Sequence, residues 1–167
     1  MATLAKQIMN AAKVESILNT RLRELIAIID RNMSAHGRHV SRHTIESLRP
    51  EVSKNGIGIL WGSGSFFALE KGRRGGKVPY GFYGIIKQWI QDKHLSFEGQ
   101  KINSVAWFIA QKIKKEGSKM YREGTFQDIM STAINEEIQK ILDDLEVAVS
   151  SDIDYINQQF IQGGFNG

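Results

Sequence analysis

Between Thr125 and Phe160 apolar residues return with helical spacing: Ile129, Ala133, Ile134, Ile138, Ile141, Leu145, Val149, Ile153, Ile156 and Phe160. Read as one helix, the stretch would be about 50 Å long. That exceeds the usual diameter of a domain of 167 residues, so part of it is expected to pack on something beyond its own core. The same stretch carries eight acids, Asp128, Glu136, Glu137, Asp143, Asp144, Glu146, Asp152 and Asp154, against one base, Lys140. Its formal charge is −7 in a chain of net +4, which leaves +11 on the remainder. The basic excess is densest from Lys71 to Glu123, with twelve bases and four acids. This segregation predicts an acidic arm that meets a basic body, in the same subunit or the next. The plainer alternative is two solvated faces.

Composition narrows the classes further. With 41% hydrophobic and 24% charged residues the chain can build one ordinary core. The absence of cysteine excludes a disulfide scaffold, a thiolate zinc site and a cysteine nucleophile. The longest apolar runs, Leu25 to Ile29 and Val105 to Ala110, fall far short of the roughly 18 residues a membrane span needs. The N-terminus lacks the basic cap and apolar stretch of a secretory signal. The expectation is a soluble protein of a cytoplasm-like compartment, with no membrane partner.

Residues 3 to 31 read as a helix through Leu4, Ile8, Ala11, Leu18, Leu22, Leu25 and Ile29, ended locally by Gly37. Ser34 to Thr44 reads as a polar loop. Ile45 to Ser53 reads as extended, with Pro50 suited to an edge strand. Lys54-Asn55-Gly56 is a hairpin turn signal. Ile57 to Trp61 follows as the second strand, with Ile57, Ile59 and Trp61 on one face and Gly58 and Leu60 on the other. Ser65 is placed to cap a short helix over Phe66 to Lys71. Gly72 to Pro79 is a loop. Tyr80 to His94 and Asn103 to Glu116 return to helical spacing, the latter ended by Gly117.

Most chemical motifs fail on spacing. Gly72 and Gly76 enclose three residues where a phosphate loop needs four, and Val78 follows Lys77 where that loop needs a hydroxyl. Gly62-Ser63-Gly64-Ser65 does not centre a serine as a nucleophile elbow requires. His36, His39 and His43 could share a helical face, but Gly37 lies among them and Arg38 and Arg42 would repel a cation, so no metal site is expected. Glu70 sits beside aromatic residues and Arg73-Arg74. An ion pair that anchors the loop is favoured there over a general acid. Lys71, Arg73, Arg74 and Lys77, flanked by Phe66, Phe67 and Tyr80, form a basic loop with three readings. It docks on an acidic surface of a neighbouring subunit, it contacts nucleic-acid phosphates, or it is solvated.

One stretch has a recognisable order. A short helix ends in Leu69-Glu70, followed by Gly72-Arg73-Arg74, then Gly76-Lys77-Val78-Pro79, then Ile86-Lys87-Gln88-Trp89-Ile90 and a further lysine. Ala106 to Ile113 follows, reading Ala-Trp-Phe-Ile-Ala-Gln-Lys-Ile, and then Glu116-Gly117. Upstream, Thr44 to Leu48 opens the first strand. Over roughly positions 40 to 120 this resembles the neck or tail-completion (head–tail joining) proteins of tailed bacteriophages. The chain departs from the common pattern at Gly75, where proline is frequent, and in its long acidic C-terminal helix. The resemblance implies a structural virion component without catalytic residues, metal or cofactor. It implies copies ringed at the portal vertex or the start of the tail, with portal, adaptor or tail proteins as partners, phage DNA passing through, and assembly in the bacterial host cytoplasm.

The expectation is therefore an α+β fold, mostly helical, with a small antiparallel hairpin packed against long helices. Residues 1–124 would form the core domain and 125–167 the acidic helix and its glycine-rich tail. The loop residues Lys71, Arg73, Arg74 and Lys77 would face a subunit, the portal side or DNA, with Glu70 anchoring them. A DNA-binding or packaged accessory phage protein is the alternative function.

Overall fold

Helix α1, Ala11–Ala35, keeps one apolar stripe in register from Val14 to Met33: Val14, Leu18, Leu22, Leu25, Ile29 and Met33 are all buried. The computed structural model describes residues 11–37 and 43–163, so the expected helical start at Leu4 and Ile8 lies outside the described residues, as does His39. After α1 come α2 (His43–Glu46), β1 (Arg49–Val52), β2 (Gly58–Trp61), α3 (Ser65–Lys71), α4 (Phe82–Asp92), α5 (Ile102–Glu116), α6 (Lys119–Glu123) and α7 (Ser131–Gly163). The fold is mostly helical α+β, with one two-stranded antiparallel sheet. None of the described helices is long and apolar enough to cross a membrane.

The chain divides into two compact units. Among described residues the first holds 11–28, 48–61 and 131–163, and the second holds 29–37, 43–47 and 62–130.

In the first unit α1 and α7 run antiparallel. Lys13 meets Asp152 at 3.2 Å, and eight residues along α1, Arg21 meets Asp144 at 2.7 Å, eight residues back along α7. The hairpin pairs Arg49 with Trp61 and Glu51 with Ile59 on its outer side, Pro50 with Leu60 and Val52 with Gly58 on its inner side. A side chain at Gly58 would touch Leu18 and Leu22 of α1, so glycine lets the sheet lie close on the helix. The face carrying Ile57, Ile59 and Trp61 is exposed. Trp61 Nε1 donates to Glu51 Oε2 across the strands at 2.6 Å. The turn is longer than a two-residue Asn-Gly loop. Gly56 N donates to Ser53 O, Ser53 N donates to Ile57 O, and Gly56 sits at φ +76°, a type I turn closed by a left-handed glycine.

In the second unit α4 packs on α5 through Ile86, Ile90, Val105, Ala106 and Ala110, with Phe82, Phe97, Ile109 and Ile113 around them. Ile90 is fully enclosed, which contributes about 1.5–3 kcal/mol of hydrophobic stabilisation. Ile85 and Trp89, on the flank of the same α4 stripe, stay exposed. Asn32 of α1 donates to the Ile129 carbonyl at 3.0 Å, placing Ile129 in this unit's buried set.

Four expectations need correction. Ile45 lies in the helical turn α2, and the strand begins only at Arg49. Ser65 is the first helical residue of α3 and not its cap; Ser63, two residues earlier, accepts from Ser65 N at 3.3 Å and from the chain at Phe66 through its carbonyl. The C-terminal helix starts at Ser131, because Gln127 N donates to Glu70 O and Ile129 N to Gln127 O, which takes this segment out of the helical ladder. Lys119–Glu123 forms a helix of its own where none was expected.

Candidate functional site

The basic loop is held by the chain itself. A glycine-rich run between two helices has few side chains to anchor it, so backbone groups carry much of that task. Ser118 N donates to Arg73 O at 2.8 Å, and Gly76 N to Lys114 O at 2.6 Å. Ser118 Oγ accepts from Arg73 N at 2.9 Å and also from Tyr121 N at 3.3 Å, where it caps α6. One serine thus joins the loop to the start of a helix.

Such pinning demands glycine. An added Cβ at Gly72 (φ +75°) would stand 2.5 Å from Tyr121 N, one at Gly75 would stand 2.9 Å from Lys115 O, and one at Gly117 (φ +88°) 2.8 Å from Arg73 O. The loop and the end of α5 pack backbone to backbone. The order of the loop comes from α5 and α6 of the same chain.

The side chains of the loop divide into two groups. Arg73 is half-buried; its Nη2 donates to Lys77 O at 3.0 Å, and its guanidinium lies 5.2 Å from the centre of the Phe82 ring. It is a brace inside the loop. Lys71, Arg74 and Lys77 are exposed. The backbone bonds bring Arg74 and Lys77 beside Lys114 and Lys115, which stand in the last turn of α5, where cations favour the carbonyl end of a helix. Tyr80 and Phe126 are exposed in the same unit. Glu70 is buried at the end of α3, where its carbonyl receives Gln127 N at 2.9 Å, so its segment roots the loop.

No known family model, curated protein or solved structure matches this chain.

Sequence reasoning missed Ser118, Lys114 and Lys115 as parts of this site. A usable signal was present: Gly117 stops one helix, and the serine directly after it is a good cap for another. The expected acidic arm, by contrast, finds bases within its own unit. Arg21 Nε donates to Asp144 Oδ2 at 2.7 Å and Nη2 to Oδ1 at 3.0 Å. Lys13 Nζ reaches the Ala148 carbonyl, Ser151 Oγ and Asp152 Oδ1. The Arg21 hydrogen bond, more than charge attraction, holds the Asp144 carboxyl below the ordinary carboxylate range, against a smaller opposing effect of burial.

An open groove of about 710 Å³ in the second unit is lined by residues including Leu69, Ile85, Gln88, Trp89, Asp92 and Lys93. Its Gln88, Asp92 and Lys93 side chains are engaged with protein. Gln88 donates to Asp92 at 2.7 Å and Lys93 to the Gly37 carbonyl at 2.7 Å. Among the described residues no group of three His, Cys, Asp or Glu is placed to hold a metal.

Proposed function

We propose that this chain is a structural virion protein of a tailed bacteriophage, assembled as a ring at the neck or tail-completion site through which DNA passes. One observation carries this reading. The central part of the resemblance, from Ala68 to Gly117, falls in one compact unit and its parts there contact each other, while Leu48 and the hairpin of the same stretch fall in the other unit. The Gly72 to Lys77 loop is pinned to the Lys114–Gly117 end of α5. The Ile86 to Ile90 stretch packs on Val105, Ala106 and Ala110 of the same helix. That its parts depend on one another in space supports reading the pattern as one unit of a fold. The unit then presents Arg74, Lys77 and Lys71 outward, toward a subunit, a portal-side protein or DNA. In this reading the chain is not an enzyme and needs no cofactor.

The test is a cryo-electron reconstruction of tailed particles that carry the chain. Density for α7 and the α4–α5 pair in a ring on the portal–tail axis is expected. Placement elsewhere in the particle, or absence from it, overturns the reading.

The exposed cations favour a second reading, a DNA-binding or packaged accessory protein. It requires duplex binding that falls steeply with salt and is lost when Arg74 and Lys77 become alanine. Absence of binding at about 50 mM salt removes it.

A further inference from the structure

The two units carry opposite charge. Among described residues the first has ten acids against six bases, a formal −4. The second has thirteen bases against eight acids, a formal +5. On the second, Lys71, Arg74, Lys77, Lys114 and Lys115 pair with no carboxylate among the described residues.

On the first unit, α7 has an apolar stripe beside the one that faces α1. Leu142, Leu145 and Val149 are followed eleven residues on by Ile153, Ile156 and Phe160. Eleven residues make just over three helical turns, so the stripe runs nearly straight along the helix. Leu142, Ile153 and Phe160 are 54%, 46% and 64% exposed, too much apolar surface in one line for a helix that has finished packing. Glu146 adjoins the stripe and Asp143 follows around the helix, each without an ion pair among the described residues.

We infer that the basic face of the second unit, formed by the Gly72–Lys77 loop and the end of α5, docks on this stripe of α7 in another copy of the chain. The inference rests on the ring reading and names its subunit contact. Charge decides the occupant. Pairing two α7 stripes, or two basic faces, sets like charges together, whereas acidic on basic sets opposite ones together. The exposed Tyr80 and Phe126 of the basic unit supply apolar surface for the stripe. A contact between two different patches repeats from copy to copy, and closes into a ring if the rotation allows. Duplex DNA on the basic face would leave the α7 stripe in water. A second copy accounts for both surfaces with one contact.

The experiment is a charge exchange on the full-length chain, followed by sedimentation velocity. One variant carries Arg74→Glu and Lys77→Glu, the other Asp143→Lys and Glu146→Lys, and circular dichroism confirms that both are as helical as wild type. Wild type is expected to self-associate at about 50 mM salt and to weaken at about 500 mM. Each variant alone should associate about tenfold more weakly or worse. An equimolar mixture, or all four substitutions in one chain, should recover wild-type association, because each reversed surface again meets its opposite. Wild type that stays monomeric throughout, or loss without recovery on mixing, overturns the contact. Loss of duplex DNA affinity in the first variant, with self-association unchanged, also overturns it in favour of DNA. The particle reconstruction fails independently: a ring on the axis joined by other surfaces keeps the neck reading and discards this contact.

Discussion

Arg21 of α1 grips Asp144 of α7 with two hydrogen bonds, Nε to Oδ2 at 2.7 Å and Nη2 to Oδ1 at 3.0 Å. The same guanidinium donates to Glu24 at 2.7 Å and stands 4.0 Å from Glu137, which is buried under it. One base thus gathers three of its unit's acids. The pair lies where the helices cross in opposite directions, so it sets their register as well as their charge balance.

Acid should loosen this contact. The native Asp144 carboxyl titrates below its value in the unfolded chain, near 3.9. Its stabilisation is therefore present in full above about pH 5 and is lost as pH falls through the lowered native value. Arg21 stays charged over this range, its own affinity for the proton raised by Asp144. In thermal melts the gap between wild type and Asp144→Asn should hold steady from pH 7 to about pH 5 and close toward pH 2. A gap that widens in acid would contradict the linkage.

Gly72 should tolerate no side chain. Alanine there must adopt φ +75° and place its Cβ 2.5 Å from the Tyr121 amide. A loss of about 2 kcal/mol or more in urea unfolding is expected. Gly64, at φ −57° with nothing within 4 Å of a Cβ, is the control. Gly64→Ala should change stability by no more than about 0.5 kcal/mol, or raise it slightly. Equal costs at both positions would mean that the loop is not packed on α6.

Ser118→Ala should act locally on the loop. It removes the acceptor for both Arg73 N and Tyr121 N, at a cost of about 1–2 kcal/mol. Hydrogen exchange should quicken at Arg73 and Tyr121 and stay unchanged along the α1–α7 pair. Unchanged exchange at Arg73 would place the loop's anchor elsewhere.

His94 invites a stabilising change. It holds φ +50° just past α4, where His94 N donates to Gln91 O and Leu95 N to Ile90 O, the paired bonds of a left-handed helix end. Glycine adopts this conformation without strain, so His94→Gly should raise stability by about 0.5–1 kcal/mol. A fall in melting temperature would show that the imidazole holds the turn by a contact of its own.

Several elements could be read from the chain because their signals are local. The stripe from Leu18 to Ile29 and the one from Ala133 to Ile156 repeat at helical spacing, and Asn55-Gly56 marks the turn between β1 and β2. Where the reading failed, a distant partner decided. Thr125 to Met130 keeps helical spacing through Ile129, yet Gln127 gives its N–H to Glu70, 57 residues away in the chain. The sequence assigned neither face of β2 to the core; the Gly58 face lies on α1, where Leu18 and Leu22 already fill the space a larger side chain would need.

The same division holds for the candidate site. Sequence alone determined that the chain is mostly helical with one hairpin, that a glycine-rich basic loop interrupts it, and that its acids gather at one end, because periodicity, backbone permissiveness and charge belong to residue types. Tertiary structure alone decided that Arg73 turns inward as a brace while Arg74 stays out, and that Lys114 and Lys115 join the loop. It also decided that Arg21 and Lys13 take up Asp144 and Asp152. These outcomes depend on which backbone groups come within hydrogen-bond reach across long separations in the chain, and spacing along the sequence carries no record of that.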